Sequence, residues 1–488
     1  MNYSNPGWNF DNTYSLLPKI LFSNTAPIPV KQPNLIIFND NLSNDLGLNF
    51  RKYSKQQLSD LFSGNYLPTG SKTIAQAYAG HQFGYFSILG DGRATMLGEH
   101  ISPNNKRFDI QYKGSGRTPY SRNGDGRATL ISMLREYIFS EAMHSLDIPT
   151  TRSLAVVSTG EIVNREEPNM GGILTRVASS HIRVGTFEYL KANKDILAIK
   201  ELINYCLKRH YPNCSIDINP AVTLLKCVME AQISLIINWM RVGYIMGVAN
   251  SDNVTISGET IDYGPCAFMN SYNPLTVYSS IDHQGRYSFG NQPLILHWNL
   301  SRFAETLIPL LDKDEEKSLK IGRKIINSFS EKYKKRYVSM MKKKFGFFNS
   351  NINDEIFIKK FLNWMGDNNA DYTNTFANLL DSNFYKSDIY KNESFVGLKK
   401  EWESRILKNN IPLNLSKKLM ISNNPFVIPR SNKVEEALTN ISKNNNYDKF
   451  YQLLGVLKNP YIRNNDNNEY RLPPKIIFEN NYKTYCGT

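Results

Sequence analysis

The sequence predicts an α+β fold of two lobes followed by a helical extension. Three observations carry that expectation. Up to about residue 190 the chain is rich in glycine and carries short alternating apolar runs, the pattern of strands. From about 190 to 250 the spacing turns helical, through Ile203, Leu207, Leu224, Val228, Ile233, Ile237 and Met240. After a return to short strands and loops over 251–300, long Lys- and Asn-rich helices follow, broken by Asn-rich loops near 350, 367 and 422. The expected division is a strand-rich lobe over 1–190, a second lobe over 191–340 and a helical extension over 341–488.

Size and composition agree with this. At roughly 150 residues per domain, 488 residues make about three units. Hydrophobic residues at 41% and aromatics at 12% exclude a disordered chain. The longest apolar-looking stretch, 234–249, is broken by Asn238 and Arg241, and no basic region followed by an apolar run opens the chain. No membrane partner and a cytoplasmic setting are therefore expected. Lys and Arg exceed Asp and Glu by 58 to 44, a formal charge of +14, which favours an anionic partner. Much of the excess sits in 332–344, read as a solvated helix face, with a nucleic-acid patch the less favoured reading. The five cysteines are odd in number and form no Cys-x-x-Cys, so no structural metal site is indicated. Cys206, Cys214 and Cys227 read as ordinary thiols, whereas Cys486, third from the end, is a possible redox thiol.

The first stretch that could carry chemistry is 85–99. Two apolar runs flank Gly90-Asp-Gly92-Arg93, which reads as a hairpin whose tip exposes backbone N–H groups. Glycines there would let a phosphate approach the main chain, and Arg93 adds a fork suited to phosphate oxygens. A plain β-hairpin with an Asp-Gly turn gives the same pattern. The second stretch, 107–113, alternates Phe108, Ile110 and Tyr112 with Asp109, Gln111 and Lys113, the period of a half-buried strand ending in a lysine. A Gly- and Arg-rich loop containing Asp125 and Gly126 then opens a helix over 128–146, with an apolar stripe of Leu130, Leu134, Ile138 and Ala142 and with Glu136 beside it. Strand lysine, then helix glutamate, behind a glycine hairpin is the arrangement by which protein kinases hold a lysine against nucleotide phosphates. The fold expected is thus protein-kinase-like, with the first lobe binding nucleotide.

The third stretch holds Asp252-Asn253 before a short apolar strand pair, and then Asp262-Tyr-Gly264 where a kinase has Asp-Phe-Gly. Carboxylate and amide oxygens on neighbouring strands are hard ligands suited to Mg²⁺. Five residues before Asn253, where a kinase has its catalytic Asp, stands Val248, which cannot accept a proton. Asp252 is the nearby replacement.

Taken together, Gly80-His-Gln-Phe-Gly84, Gly90-Asp-Gly-Arg93, Tyr-Lys113-Gly-Ser-Gly-Arg-Thr-Pro-Tyr-Ser-Arg122, Arg135-Glu136, Leu-Thr-Arg176, Ile-Arg183-Val-Gly-Thr-Phe-Glu188 and Asp262-Tyr-Gly-Pro265 resemble the selenoprotein O family, most densely over 75–300. That family consists of kinase-fold proteins that transfer AMP, or UMP, to proteins. The resemblance implies ATP (or UTP) as donor, Mg²⁺ or Mn²⁺ as cofactor and protein hydroxyls, the enzyme's own included, as acceptors. It implies that Gly90, Gly92, Arg93, Lys113, Asp125, Gly126, Arg176, Arg183 and Asp262 bind ATP. Asn253 and Asp262 would be metal ligands, Asp252 the proton acceptor and Glu136 the ion-pair partner of Lys113. It also implies an ATP inverted relative to ordinary kinases, with the α-phosphate at the point of transfer. Cys486 falls where many members carry a redox-active cysteine or selenocysteine. The chain departs from the family at Met246, Ala249 and Ser251, and no cysteine occurs in 278–286.

Two other functions compete at this level: an ordinary kinase moving the γ-phosphate, which Val248 argues against, and a non-catalytic nucleotide-sensing scaffold or nucleic-acid binder. A scaffold has no need of both Asn253 and Asp262.

Overall fold

Among the described residues, seven strands between residues 22 and 178 form one antiparallel sheet in the computed structural model of the chain, which describes residues 4–214, 219–379, 388–464 and 468–485. The strands of this region are β1 (Phe22–Asn24), β2 (Asn34–Phe38), β3 (Ile74–Gln76), β4 (Ala79–Gln82), β5 (Tyr85–Ile88), β6 (Ala94–Ile101), β7 (Arg107–Lys113), β8 (Arg152–Asn164) and β9 (Pro168–Ala178). The sheet order is β1-β3-β6-β7-β9-β8-β2, which puts the lysine strand β7 between β6 and β9. The helices of the same region are α1 (Asp40–Asp45), α2 (Lys55–Ser63) and α3 (Leu130–Ser145). Thr129 caps α3 by accepting from Ser132 N. The apolar stripe of α3 packs on β8 and β9, which brings Glu136 over the end of β7.

The second lobe is helical. It holds α4 (Val184–Ala192), α5 (Ile196–His210) and α6 (Pro220–Val242), then a two-stranded pair of β10 (Tyr244–Met246) and β11 (Cys266–Phe268), then α7 (Gln292–Leu311), α8 (Glu315–Asn327) and α9 (Phe329–Lys344). The extension follows as α10 (Asp354–Asp367), α11 (Tyr372–Asn378), α12 (Glu393–Leu407), α13 (Leu413–Asn423), α14 (Ser431–Asn444), α15 (Asp448–Leu457), α16 (Asn468–Arg471) and α17 (Ile476–Asn481). One apolar core runs from Leu134 and Ile138 of α3 through Leu224 and Ile233 of α6 to Leu438 and Phe450 of the extension, so these helices share a single interior. The α+β class and the helical extension are as the sequence predicts.

Four expectations need correction. Residues 85–99 are not one hairpin: β5 pairs with β4, and Gly90–Arg93 leads from that small projecting ribbon into β6 of the main sheet. Tyr85, Phe86 and Ile88 are exposed, and periodicity specifies a strand without specifying its partner. Secondly, β7 is buried on both faces. Ile110 and Tyr112 enter an apolar cluster, while Asp109, Gln111 and Lys113 on the other face enter a buried network of hydrogen bonds and ion pairs. Thirdly, 254–262 forms no strand pair; it is a loop tied by isolated bridges of Thr255 to Arg183 and Thr260 to Thr150, and the strand pair is β10 with β11 around it. Fourthly, α6, with a mean hydropathy of 1.5, is long and apolar enough by composition to cross a bilayer. It is the central helix of its lobe, packed against α5, α7 and α9.

The basic stretch 332–344 lies on α9, and several of its cations are spent within the fold. Lys332 and Arg336 both pair with Glu230, and Lys334 meets Glu355 at 2.9 Å. Lys344 is buried, donating to Arg241 O at 2.8 Å.

Candidate active site

Between the sheet and the helical lobe lies a cleft of about 820 Å³, and every predicted site residue within the described part of the chain lines it. Gly90, Gly92 and Arg93 come from the turn before β6, Lys113 from the end of β7, Asp125 and Gly126 from the following loop, and Glu136 from α3. Arg176 lies on β9 and Arg183 at the N-terminus of α4; Asp252, Asn253 and Asp262 lie in the loop between β10 and β11. Cys486 lies outside the described residues. Eight Lys and Arg side chains line the cleft against five Asp and Glu, a surplus suited to a polyanion.

At its floor Lys113 Nζ donates to Glu136 Oε2 and to Asp262 Oδ1, each at 2.6 Å. Arg176 Nη1 reaches the same Asp262 oxygen at 2.6 Å, and Arg183 Nη1 reaches Oδ2 at 2.8 Å. Three cations therefore converge on one carboxylate. Burial works to raise the pKa of Asp262, and Lys113, Arg176 and Arg183 outweigh it, holding the group well below the usual carboxylate range. Asp262 also has φ 63°, a left-handed backbone that a non-glycine residue adopts only where its surroundings hold it there. The two arginines are themselves oriented. Arg176 is clamped by Gln111 Oε1 at 2.5 and 3.2 Å. Arg183 donates to Asp252 O at 2.9 Å and lies 4.5 Å from the centre of the Tyr78 ring.

Asp252 sits beside this group. Burial pushes its carboxyl up to about 6, with Arg183 opposing the rise. Its Oδ1 is buried and has no hydrogen-bond partner among the described residues. The β4–β5 ribbon closes over it: a Cβ on Gly80 would lie 2.5 Å from that oxygen, so only glycine fits there. Around the ribbon, His81 N donates to Ser251 Oγ at 2.8 Å, and Glu188 accepts from Ser251 Oγ and meets His81 Nδ1, both at 2.5 Å.

The donor set fits a hard divalent cation. The Asn253 amide nitrogen donates to Val248 O at 2.9 Å, which leaves the amide oxygen as its free end. The Asp262 side chain is 22% exposed. Both offer oxygens, the ligands Mg²⁺ and Mn²⁺ prefer. Among the described residues no three His, Cys, Asp or Glu side chains form a ready-made cage, so an ion here would be completed by phosphate oxygens.

Three predicted residues sit differently from the simplest reading. The positions a Cβ would take on Gly90 and Gly92 are filled by Tyr120, at 2.5 and 2.9 Å, so these glycines allow two loops to touch. Asp125 lies at the rim, paired with Arg165 at 2.8 and 2.9 Å. The sequence reading assigned no role to Tyr78, Gln82, Asn250 or Arg135, which also line the cleft. Gln82 falls inside Gly80–Gly84 and Arg135 precedes Glu136, so motif membership was the available signal for both; for Tyr78 there was none.

The family model described as "Protein adenylyltransferase SelO" matches residues 7–458. A protein nucleotidyltransferase YdiU of Nitrosococcus oceani is 50% identical over 488 residues, covering 100% of this chain and 99% of its own. Another, of Pelagibacter ubique, is 51% identical over 482 residues, 99% of both chains. Among solved structures, ROP2 from Toxoplasma gondii, titled as having a protein-kinase fold and no enzymatic activity, matches 69% of this chain and 88% of its own at 9% identity, with a TM-score of 0.24.

Proposed function

The chain belongs to the SelO family of protein adenylyltransferases, and from that premise we propose how its cleft carries out the transfer. It is a protein nucleotidyltransferase, whose substrates are a nucleotide and proteins. The donor is ATP, with UTP the alternative, and the acceptors are Ser, Thr and Tyr hydroxyls, some of them on the enzyme itself. The convergence of Lys113, Arg176 and Arg183 on Asp262 beside Asp252 carries this reading.

In this reading the acceptor hydroxyl oxygen attacks the α-phosphorus, and the bond from that phosphorus to the bridging oxygen of the β-phosphate breaks. Negative charge builds on the departing pyrophosphate. Arg93, Lys113, Arg176 and Arg183 are the cations that neutralise it, already in place before the reaction, which is where electrostatic catalysis gains most. Glu136 keeps Lys113 extended across the cleft floor. Asn253 and Asp262 hold Mg²⁺ or Mn²⁺, which when bound supplies further positive charge at the phosphates. Asp252 accepts the hydroxyl proton. Val248 leaves the usual kinase base position without an acceptor, so the residue that can take a proton sits by Arg183.

Asp252→Ala separates binding from transfer. Transfer is expected to fall about 10²-fold or more, the scale of a lost general base. Stabilisation by ATP with Mg²⁺ or Mn²⁺, read by thermal unfolding, should persist. Loss of that stabilisation together with transfer would place Asp252 in nucleotide or metal binding instead.

A further inference from the structure

Arg135, the neighbour of Glu136 on α3, joins three parts of the molecule. Its Nη1 donates to Glu435 Oε1 of α14 at 2.6 Å. Its Nη2 donates to Tyr482 Oη, just beyond α17, and to Cys266 O at the start of β11, both at 3.0 Å. Tyr482 Oη in turn donates to Glu435 Oε1 at 2.8 Å, and the guanidinium lies 4.9 Å from the centre of the Phe139 ring on its own helix. Tyr482 is itself fixed, stacked on Phe478 and edge-on to Tyr278, while Thr484 N donates to Tyr278 O at 2.7 Å. The side chain of Arg135 is 13% exposed and that of Glu435 38%, so the arginine end of the network is shielded from water while the glutamate end is partly open to it.

The geometry has a functional consequence. Lys113 is gripped from two sides, by Glu136 on α3 and by Asp262 in the loop that runs into β11. Arg135 ties that helix to that strand, four residues after Asp262, and the extension holds Arg135 in place. We infer that Glu435 and Tyr482 of the extension are positioning residues for nucleotide transfer, acting through Arg135 to set the distance between α3 and the Asp262 loop and so the placement of Lys113. The inference rests on the role proposed for Lys113 and Glu136. Neither Glu435 nor Tyr482 is among the residues lining the cleft, whereas Arg135 is.

A double-mutant cycle on the full chain tests it. Glu435→Ala is expected to lower the rate of nucleotide transfer from ATP about tenfold in the wild-type background. In a Glu136→Gln background, where the helix no longer presents a full charge to Lys113, the same change should cost less than about twofold. Tyr482→Phe should follow the same pattern with a smaller loss, and Glu435→Gln, which keeps the side chain's shape, covers the case in which Glu435→Ala unfolds. A purely structural role would give the same loss in both backgrounds. That result, or full transfer by the Glu435 and Tyr482 variants while Glu136→Gln is impaired, overturns the inference alone. A Glu136→Gln enzyme with wild-type transfer overturns the site assignment, and the inference with it.

Discussion

A Lys113→Ala variant is expected to lose nucleotide transfer by about 10²- to 10³-fold, the cost of removing one preorganised charge from a transition state, while remaining folded. The fold survives because neither carboxylate that Lys113 holds is left alone. Asp262 keeps Arg176 at 2.6 Å and Arg183 at 2.8 Å. Glu136 keeps a longer contact to Arg176 Nη1 at 3.5 Å. What disappears is the cation at the end of β7, which no neighbour replaces at that position. Glu136→Gln should cost less, because Lys113 remains and Asp262 still holds it. Near-normal transfer by Lys113→Ala, with thermal unfolding confirming a native protein, would contradict the role given to this lysine.

The second large effect is expected at Asp262. Asp262→Ala should abolish transfer at every metal concentration and also destabilise the protein, because three cations then face one another without their shared carboxylate. Removing one partner from a buried ion pair costs roughly 3–5 kcal/mol, so a clear fall in unfolding temperature should accompany the loss. Asn253→Ala removes a neutral amide that donates to Val248 O, and its activity should be partly recovered by excess Mn²⁺. The ranking is the test. Equal, unrescued loss at both positions would contradict it, as would an Asp262→Ala protein as stable as the wild type.

These two predictions show where the sequence was readable. The alternation over 107–113 identified β7 and put Lys113 at its end, and the apolar stripe of α3 put Glu136 above it. Both are local patterns, and local periodicity is strong over such lengths. The partners that complete the site are not local. Arg176 and Arg183 reach Asp262 across 86 and 79 residues, and Arg135 reaches Glu435 across 300. No spacing rule connects such residues, and the motif resemblance supplied Arg176 and Arg183 but not Glu435. The hairpin assigned to 85–99 failed for a related reason: an exposed ribbon and a sheet strand share the same alternation, and only tertiary contacts decide which strand pairs with which. The polar face of β7 was read as half-exposed because a lysine, a glutamine and an aspartate usually face water. Here Arg176 of the neighbouring strand β9, with Arg209 and Asp262 of the second lobe, covers them, so the polarity marks a buried site.

The central claim is that this cleft moves the α-phosphoryl group with its nucleoside and releases pyrophosphate. Incubating the protein and a protein acceptor with Mg²⁺ or Mn²⁺ and ATP, labelled either at the α- or at the γ-phosphorus, tests it most directly. Label from the α-phosphorus should appear on protein hydroxyls, label from the γ-phosphorus should leave as pyrophosphate, and Asp252→Ala should suppress the first. Protein labelled from the γ-phosphorus alone would make the enzyme an ordinary kinase and contradict the account.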